Sequence, residues 1–421
     1  MKKVAIIGTG ISGLSAAYFL NNAGYEIKVF EKNNYIGGHS NTAEIDYNGK
    51  QIAVDTGFIV YNDWNYPNLT KLFEKLEVVG AKSNMSFSAS VDDGALEYCG
   101  SGLDGMFAQR KNLLNIHFIK MILDILKFNK EAPKILEIET TETLGDFIKR
   151  LKLGEYFRNY YLLPMAAAIW SCPKETMLKY PAKNFIRFFK NHGLLNVKTR
   201  PQWYTVLGGS KNYVTKLCAE FRDKIFLNSC VVEVRREQNQ VVIRLEDGTE
   251  EMFDDVVLAS HGDQSFKMIS DLDNLENDIL KNFKYQKNRA VLHRDKALMP
   301  KNRKAWSSWN YIKVGDDFSD DVFLTYWMNN LQPIGKNHPI FVSLNPKIEP
   351  MDKLIFAEYE YEHPVFDDAS VASQNRIGEI QGYRNLWYCG AYLRYGFHED
   401  GILSAVNMFR KFTGNKGFEI G

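Results

Sequence analysis

The stretch Val4-Ala5-Ile6-Ile7-Gly8-Thr9-Gly10-Ile11-Ser12-Gly13 joins a short continuous apolar run to three closely spaced glycines. Such a run reads as a parallel strand buried on both faces. Beyond it Leu14, Ala17, Tyr18 and Leu20 share one helical face, Gly24 ends the helix, and a second strand at residues 27–30 closes on Glu31. In this order each residue has a task. Gly8 permits the tight turn, Gly10 lets the backbone approach a pyrophosphate, and Gly13 lets helix and strand pack closely. The helix N-terminus stabilises phosphate charge, and Glu31 is placed to accept hydrogen bonds from a ribose. The alternative, a plain glycine-rich turn, does not account for the strand, turn, helix, strand and acid occurring in sequence.

The composition sets the limits around this unit. The chain has 421 residues, 45% hydrophobic and 24% charged, with 52 basic and 51 acidic side chains for a formal net charge of +1. That is an ordinary globular composition with enough apolar material for one large core or two moderate ones. It excludes a chain basic along its whole length. The longest near-continuous apolar stretch, residues 162–170, is half of what a membrane-spanning helix needs, roughly 18 residues. Met1-Lys2-Lys3 resembles the charged start of a signal peptide, but the glycines that follow fit strand and turn better. Cys99, Cys172, Cys218, Cys230 and Cys389 are odd in number and lack CxxC or Cys/His spacing, so they read as reduced thiols of a cytoplasmic protein with no zinc site.

Past the second strand, Ile36-Gly37-Gly38-His39-Ser40 offers a second glycine pair for backbone contact with phosphates, which favours FAD over NAD. Val54-Asp55-Thr56-Gly57-Phe58 follows. With these motifs the sequence resembles the flavin amine oxidase and phytoene desaturase superfamily, in which a GG element and a DxG element follow the dinucleotide fold. The superfamily usually has Arg after the glycine pair, where this chain has His39.

The resemblance covers the whole length. It implies an α/β architecture, a Rossmann-like FAD-binding domain of the GR2 flavoprotein type interleaved with an α+β substrate domain. The FAD-binding domain is assigned to residues 1–65, 196–268 and 375–421, and the substrate domain to 66–195 and 269–374. FAD contacts are implied for Gly8, Gly10, Ile11, Ser12 and Gly13, for Glu31 and Lys32, and for Gly37, Gly38, His39 and Ser40. Thr56, Gly57 and Phe58 belong to the same set. Leu207-Gly208-Gly209-Ser210 precedes a helix at about 211–221, and Val232 lies where such proteins place a valine backbone against the adenine; a plain surface hairpin is the alternative. Near the end, Gly390 approaches the ribityl chain, and Asp400, Gly401 and Ile402 start a helix aimed at the flavin N1/O2 edge, with Asp400 as its cap. Ser404-Ala405 stands where the superfamily has a small-residue pair.

Three longer stretches narrow the resemblance. Asp55 through Asn62, Pro164 through Ser171, and Tyr395 through Gly401 look like a bacterial branch of FAD-binding oxidoreductases often encoded beside cyclopropane-fatty-acid-synthase-like methyltransferases. The association implies oxidation or desaturation of fatty acyl chains of membrane lipids, on the route to methylated or furan-containing fatty acids.

Charge distribution is an independent observation. Residues 110–200 hold 17 Lys or Arg against 8 Asp or Glu, a net of +9 that leaves −8 for the remainder. Within this insertion, expected to be mainly helical from 112 to 195, Leu113, Leu114, Ile116, Phe118, Ile119, Met121, Ile122, Leu123, Ile125, Leu126 and Phe128 are flanked by Lys111, Lys120, Lys127 and Lys130. Phe185-Ile186-Arg187-Phe188-Phe189-Lys190 repeats the mix. Two readings stand: a core helix with a solvated basic face, or a surface lying in anionic headgroups at the inner face of the cell membrane. No nucleic-acid-binding motif accompanies the charge. The second insertion, residues 269–367, is expected to form strands with aromatic-rich turns including Trp306, Trp309, Tyr311, Tyr326 and Trp327.

Desaturation needs a hydride acceptor and a base. His398 falls where the superfamily carries an aromatic cage residue beside the flavin; it is a candidate base or a structural histidine, with Glu399 as a second catalytic candidate. His261 could approach FAD, whereas His117, His192, His293, His338 and His363 have no positional case. The lysine that many amine oxidases place near flavin N5 corresponds to Asn288, with Lys287 or Arg289 open if the register is one off. Amine oxidation of a small polar substrate, and a carrier role beside a methyltransferase, remain as competing functions.

Overall fold

A computed structural model describes residues 1–170, 174–196, 200–314 and 323–420. Ser171 and Cys172 lie outside these. Five parallel strands form the first sheet in the order Ile225–Phe226, Glu26–Phe30, Lys3–Ile7, Asp255–Leu258, Leu386–Tyr388. The continuous apolar run at its centre is explained by burial on both faces. Val4 and Ile6 pack toward the helices Ile11–Asn22 and His398–Thr413. Ala5 and Ile7 pack on the opposite side, against an antiparallel sheet of Val231–Glu237, Gln240–Leu245 and Glu250–Phe253. Alternation along one strand thus joins two layers into one core.

The second large sheet has seven strands in the order Ile355–Val365, Lys284–His293, Phe341–Leu344, Leu324–Trp327, Trp309–Ile312, Phe87–Val91, Leu96–Cys99. Only Phe87–Val91 and Trp309–Ile312 pair in parallel. Helices of the first insertion, chiefly Ile116–Glu131 and Ala182–Asn191, share a hydrophobic cluster with this sheet through Phe118, Phe128, Phe185 and Phe189. A smaller sheet pairs Trp203–Val206 with both Tyr61–Asn62 and Gly80–Ser83, so hydrogen bonds cross the sequence division at 65/66.

Several local expectations shift. The C-terminal helix begins at His398, not near Gly401, with Phe397 as its N-cap residue. Asp400 is therefore not the cap; it sits one turn in, and its Oδ2 accepts the Phe397 N–H at 3.0 Å. The α-helix after Ser210 ends at Leu217 and passes into a 3₁₀ turn, Ala219–Lys224. The Phe185–Lys190 stretch is not an exposed apolar surface, because Phe185, Ile186, Phe188 and Phe189 are buried. Of the Ile116–Glu131 helix, Phe118, Met121, Ile125 and Phe128 are core residues. Cys99, Cys218, Cys230 and Cys389 are unpaired thiols.

Candidate functional site

The glycine turn has the form that the sequence requires. Gly8 adopts φ +105°, and a methyl at Gly13 would lie 2.0 Å from the Gly8 carbonyl oxygen, so only glycine lets this helix start beneath the turn. Gly10 differs: a Cβ there would meet nothing within 4 Å. Gly38 packs against Gly10, its added Cβ falling 3.1 Å from the Gly10 Cα. Two glycine loops thus meet beside open space, the arrangement a diphosphate needs. Gly401 closes on the same helix start, where a Cβ would fall 2.7 Å from Ile11 and 2.9 Å from Ser12, and Ile402 is fully buried behind it.

Glu31 is buried, and its Oε2 accepts from Thr9 N at 3.0 Å and Thr9 Oγ1 at 2.6 Å, while Oε1 accepts from Asn33 N at 2.9 Å. Its two oxygens keep lone pairs for a ribose hydroxyl. Lys32 is exposed. Val232 occupies a β-bulge, where the register shifts between Val231 and Glu233; a bulge residue has backbone groups free of ladder pairing. The Ser229 N–H donates to Glu31 O at 2.8 Å, fixing this segment beside the acid.

The second glycine pair and the DxG element lock together. Phe58 N donates to His39 O at 2.7 Å, and a methyl at Gly57 would strike that same carbonyl. Thr56 Oγ1 bonds Tyr361 OH at 2.7 Å. Asp55 reaches the third glycine loop, Oδ1 accepting from Ser210 N and Oγ at 2.8 Å, and burial pushes its carboxyl up to about 6. Gly390 is joined to the C-terminal helix by its N–H to Ser404 Oγ at 2.8 Å.

Two histidine groups flank these loops. In the first, His398 stacks on Phe58 and its Nε2 bonds Ser40 Oγ at 2.9 Å and Tyr213 OH at 3.1 Å. Burial lowers its pKa to about 3, so the ring is neutral. In the second, His39 lies with ring centroids 5.4 Å from His363, 5.2 Å from Tyr361 and 6.3 Å from His261. Burial holds His39 well below the usual histidine range, and His363 at about 4. The His39 Nε2 is buried without a hydrogen-bond partner, an orphaned polar atom beside the glycine loops. His261 stacks on Tyr285 and pairs through Nδ1 with Glu362 Oε2 at 3.1 Å. That hydrogen bond is the main cause holding the Glu362 carboxyl below its ordinary range.

Glu399 does not face either group. Its carboxylate accepts from Asn68 N, Asn68 Nδ2 and Leu69 N at 2.6–3.1 Å, closing the N-terminus of the Pro67–Lys75 helix, and burial raises its pKa. The catalytic reading of Glu399 is therefore replaced by a capping one. Asn288 is fully buried, donating to His363 Nδ1 at 2.8 Å and accepting from Asn345 Nδ2 at 2.8 Å. Strand alternation sends Lys287 and Arg289 to the outer face, where they pair with Glu360 and with Glu349 and Glu358. Neither substitutes for the amine-oxidase lysine. Sequence reasoning missed Glu362, His363, Tyr361 and Tyr213; their place depends on pairing between distant segments.

The crossing of a GxGxxG unit with a second glycine loop and a buried acid defines a dinucleotide-binding oxidoreductase, and the open cradle at Gly10 with the orphaned His39 nitrogen fits FAD. The family model of the flavin-containing amine oxidoreductases matches residues 11–291, and the chain belongs to that family. It is an FAD-dependent oxidoreductase. A putrescine oxidase variant shares the fold with a TM-score of 0.70 at 13% identity, over 98% of this chain and 99% of that one. A CLA-producing fatty acid isomerase from P. acnes matches with a TM-score of 0.65 at 15% identity over 98% of each chain. In sequence, a 1-hydroxycarotenoid 3,4-desaturase of Flavobacterium is 53% identical over 45 residues, 11% of this chain and 9% of that protein. A 4,4'-diapophytoene desaturase of Staphylococcus aureus is 46% identical over 44 residues, 10% and 9% of the two chains. The alignments span about a tenth of these curated relatives. Among the described residues no helix is long and apolar enough to cross a membrane, and no cluster of metal-ligating side chains occurs.

Proposed function

We propose that the substrate is a fatty acyl chain of a membrane lipid, which the enzyme oxidises or desaturates by removing a hydride and a proton from neighbouring carbons. The observation that carries this reading is the burial of His39, His363 and His398 around the glycine loops, with the Glu362 carboxylate, the ionised exception, held by His261. His39, His363 and His398 are held uncharged by burial, Asn288 is the residue the resemblance sets against the amine-oxidase lysine, and Glu399 and Asp55 are engaged in the fold. Neutral walls suit an uncharged methylene chain better than an ammonium ion. The fatty acid isomerase and the carotenoid desaturases named above act on apolar chains, and support the reading as analogies.

Bound FAD supplies a hydride acceptor. The residues implied by the sequence to hold it, from Gly8 to Gly13, Glu31 to Ser40, Thr56 to Phe58, Val232, Gly390, and Gly401 with Ile402, enclose its phosphate, ribose and ring ends in this proposal. Phe58 and His398 form a flat wall. The proton lost from the neighbouring carbon passes to His261: with Nδ1–H donating to Glu362, its Nε2 is the accepting nitrogen, and the carboxylate stabilises the resulting imidazolium. We assign the partner reaction to a cyclopropane-synthase-like methyltransferase that methylates the chain, and the site of action to an anionic membrane surface.

One observation favours oxidation of a small amine instead: Tyr359 and Tyr361 stack at 6.0 Å and 21° beside His39, as an aromatic cage would. Anaerobic mixing decides between them. Bleaching of the bound flavin by methylated phospholipid, and by no amine, is expected; bleaching by amines alone transfers the assignment, and no bleaching by any lipid removes it.

A further inference from the structure

The Ile116–Glu131 helix carries apolar residues on two opposite sides. One arc, Phe118, Met121, Ile125 and Phe128, enters the core. At 100° per residue, Ile116, Ile119, Leu123 and Leu126 share the outward arc with Lys120, Lys127 and Lys130, all within about 120°. Ile116 is 77% and Leu123 60% exposed, and Leu114 in the preceding turn is 93% exposed. A helix that needed only water on this side would carry polar residues there.

The charge of the same face has one sign. Lys111, Lys120 and Lys130 enter no ion pair among the described residues, and Lys127 donates to Leu151 O at 2.6 Å. The nearby carboxylates are engaged: Asp124 is buried and accepts from Gly154 N, Glu131 pairs with Lys134, Glu155 with Arg158, Asp92 with Lys313, Asp93 with Lys301, and Asp104 with Arg110. At the N-terminal end of the helix, a cavity of about 280 Å³ is lined by Lys111, Asn112, Leu114, Asn115 and Tyr156. Asn115 caps the helix through its side chain. Asn112 is 2% exposed, yet its Nδ2 donor has no acceptor. The Lys111 ammonium group and the capped start of the helix border this open space.

We propose that this face docks on an anionic phospholipid membrane, with Lys111, Lys120, Lys127 and Lys130 meeting lipid phosphates and the exposed leucines entering the acyl boundary. Interleaved lysine and branched aliphatic side chains, with no carboxylate on the arc, match an anionic lipid surface rather than a protein groove. The proposal rests on the lipid reading above for its membrane partner, and specifies which face meets it.

Holoprotein is sedimented with vesicles of phosphatidylcholine alone, or with an equal part of phosphatidylglycerol. Pelleting with the anionic vesicles is expected, and partition lowered roughly 100-fold by K120Q/K127Q/K130Q. L114N/L123N and K111Q should each weaken it, whereas K50Q/K75Q/K416Q, exposed lysines elsewhere, should not. Equal binding to both vesicle types, no pelleting, or equal loss in the control variant overturns the proposal, as does K111-dependent binding of inorganic phosphate without vesicle binding. Flavin reduction by detergent-dispersed lipid is read on the same proteins. Reduction without pelleting overturns docking alone; pelleting without reduction supports docking and removes the substrate assignment.

Discussion

The imidazole of His398 lies flat on the ring of Phe58, with centroids 3.6 Å apart and planes 12° from parallel. One residue begins the C-terminal helix and the other ends the DxG element, so the stack ties two segments remote in sequence. His398→Phe keeps the stack and loses the bonds to Ser40 and Tyr213, which should cost about 1 kcal/mol. His398→Ala loses both and should cost about 2 kcal/mol or more. Urea unfolding of the two variants measures the difference; equal costs would deny the stack a role.

The two inner glycines separate folding from cofactor binding. Gly13→Ala collides with the Gly8 carbonyl and should unfold or strongly destabilise even the apoprotein. Gly10→Ala meets no protein atom, so the apoprotein should melt unchanged while retention of flavin on gel filtration falls at least tenfold.

If His261 accepts the proton, His261→Ala should lower the rate of anaerobic flavin reduction by about 10² to 10⁴. Glu362→Gln leaves the His261 ring without its carboxylate partner and should lower the same rate about tenfold. A rate unchanged by Glu362→Gln assigns the proton elsewhere.

Glu399→Gln removes a carboxylate from a helix N-terminus rather than from the chemistry. Stability should fall by about 1 kcal/mol with flavin reduction nearly unchanged. A loss of rate without loss of stability would restore its catalytic reading.

Burial raises Asp400 to about 6. A carboxyl whose folded pKa lies above its unfolded value of 3.8 binds more protons when folded, so its contribution is full below pH 4 and is lost as pH rises through 6. Asp400→Asn keeps an acceptor for the Phe397 N–H and should flatten the fall of Tm between pH 4 and 6.5. Thermal melts across that window, wild type against variant, give the slope.

The FAD-binding start was legible because its signals are local. An apolar run, a glycine turn needing positive φ at Gly8 and a helical repeat are all set within thirty residues, and backbone sterics leave few alternatives. In the second insertion Trp309, Tyr311, Tyr326 and Trp327, expected in turns, lie in the strands Trp309–Ile312 and Leu324–Trp327, whose pairing brings distant segments together. Side-chain roles at residues 398–400 were not, because these residues, expected ahead of the helix, form its first turn, where each side chain points 100° from the next.

Sequence alone therefore determined the fold class and the placing of the glycine loops, which depend on neighbours along the chain. Only tertiary structure decided that His261 meets Glu362, that His39 meets His363, that Glu399 serves a distant helix, and which leucines remain outside the core. Those outcomes follow from sheet pairing and helix packing between remote segments, where a one-residue change of register exchanges the buried face of a strand for the exposed one.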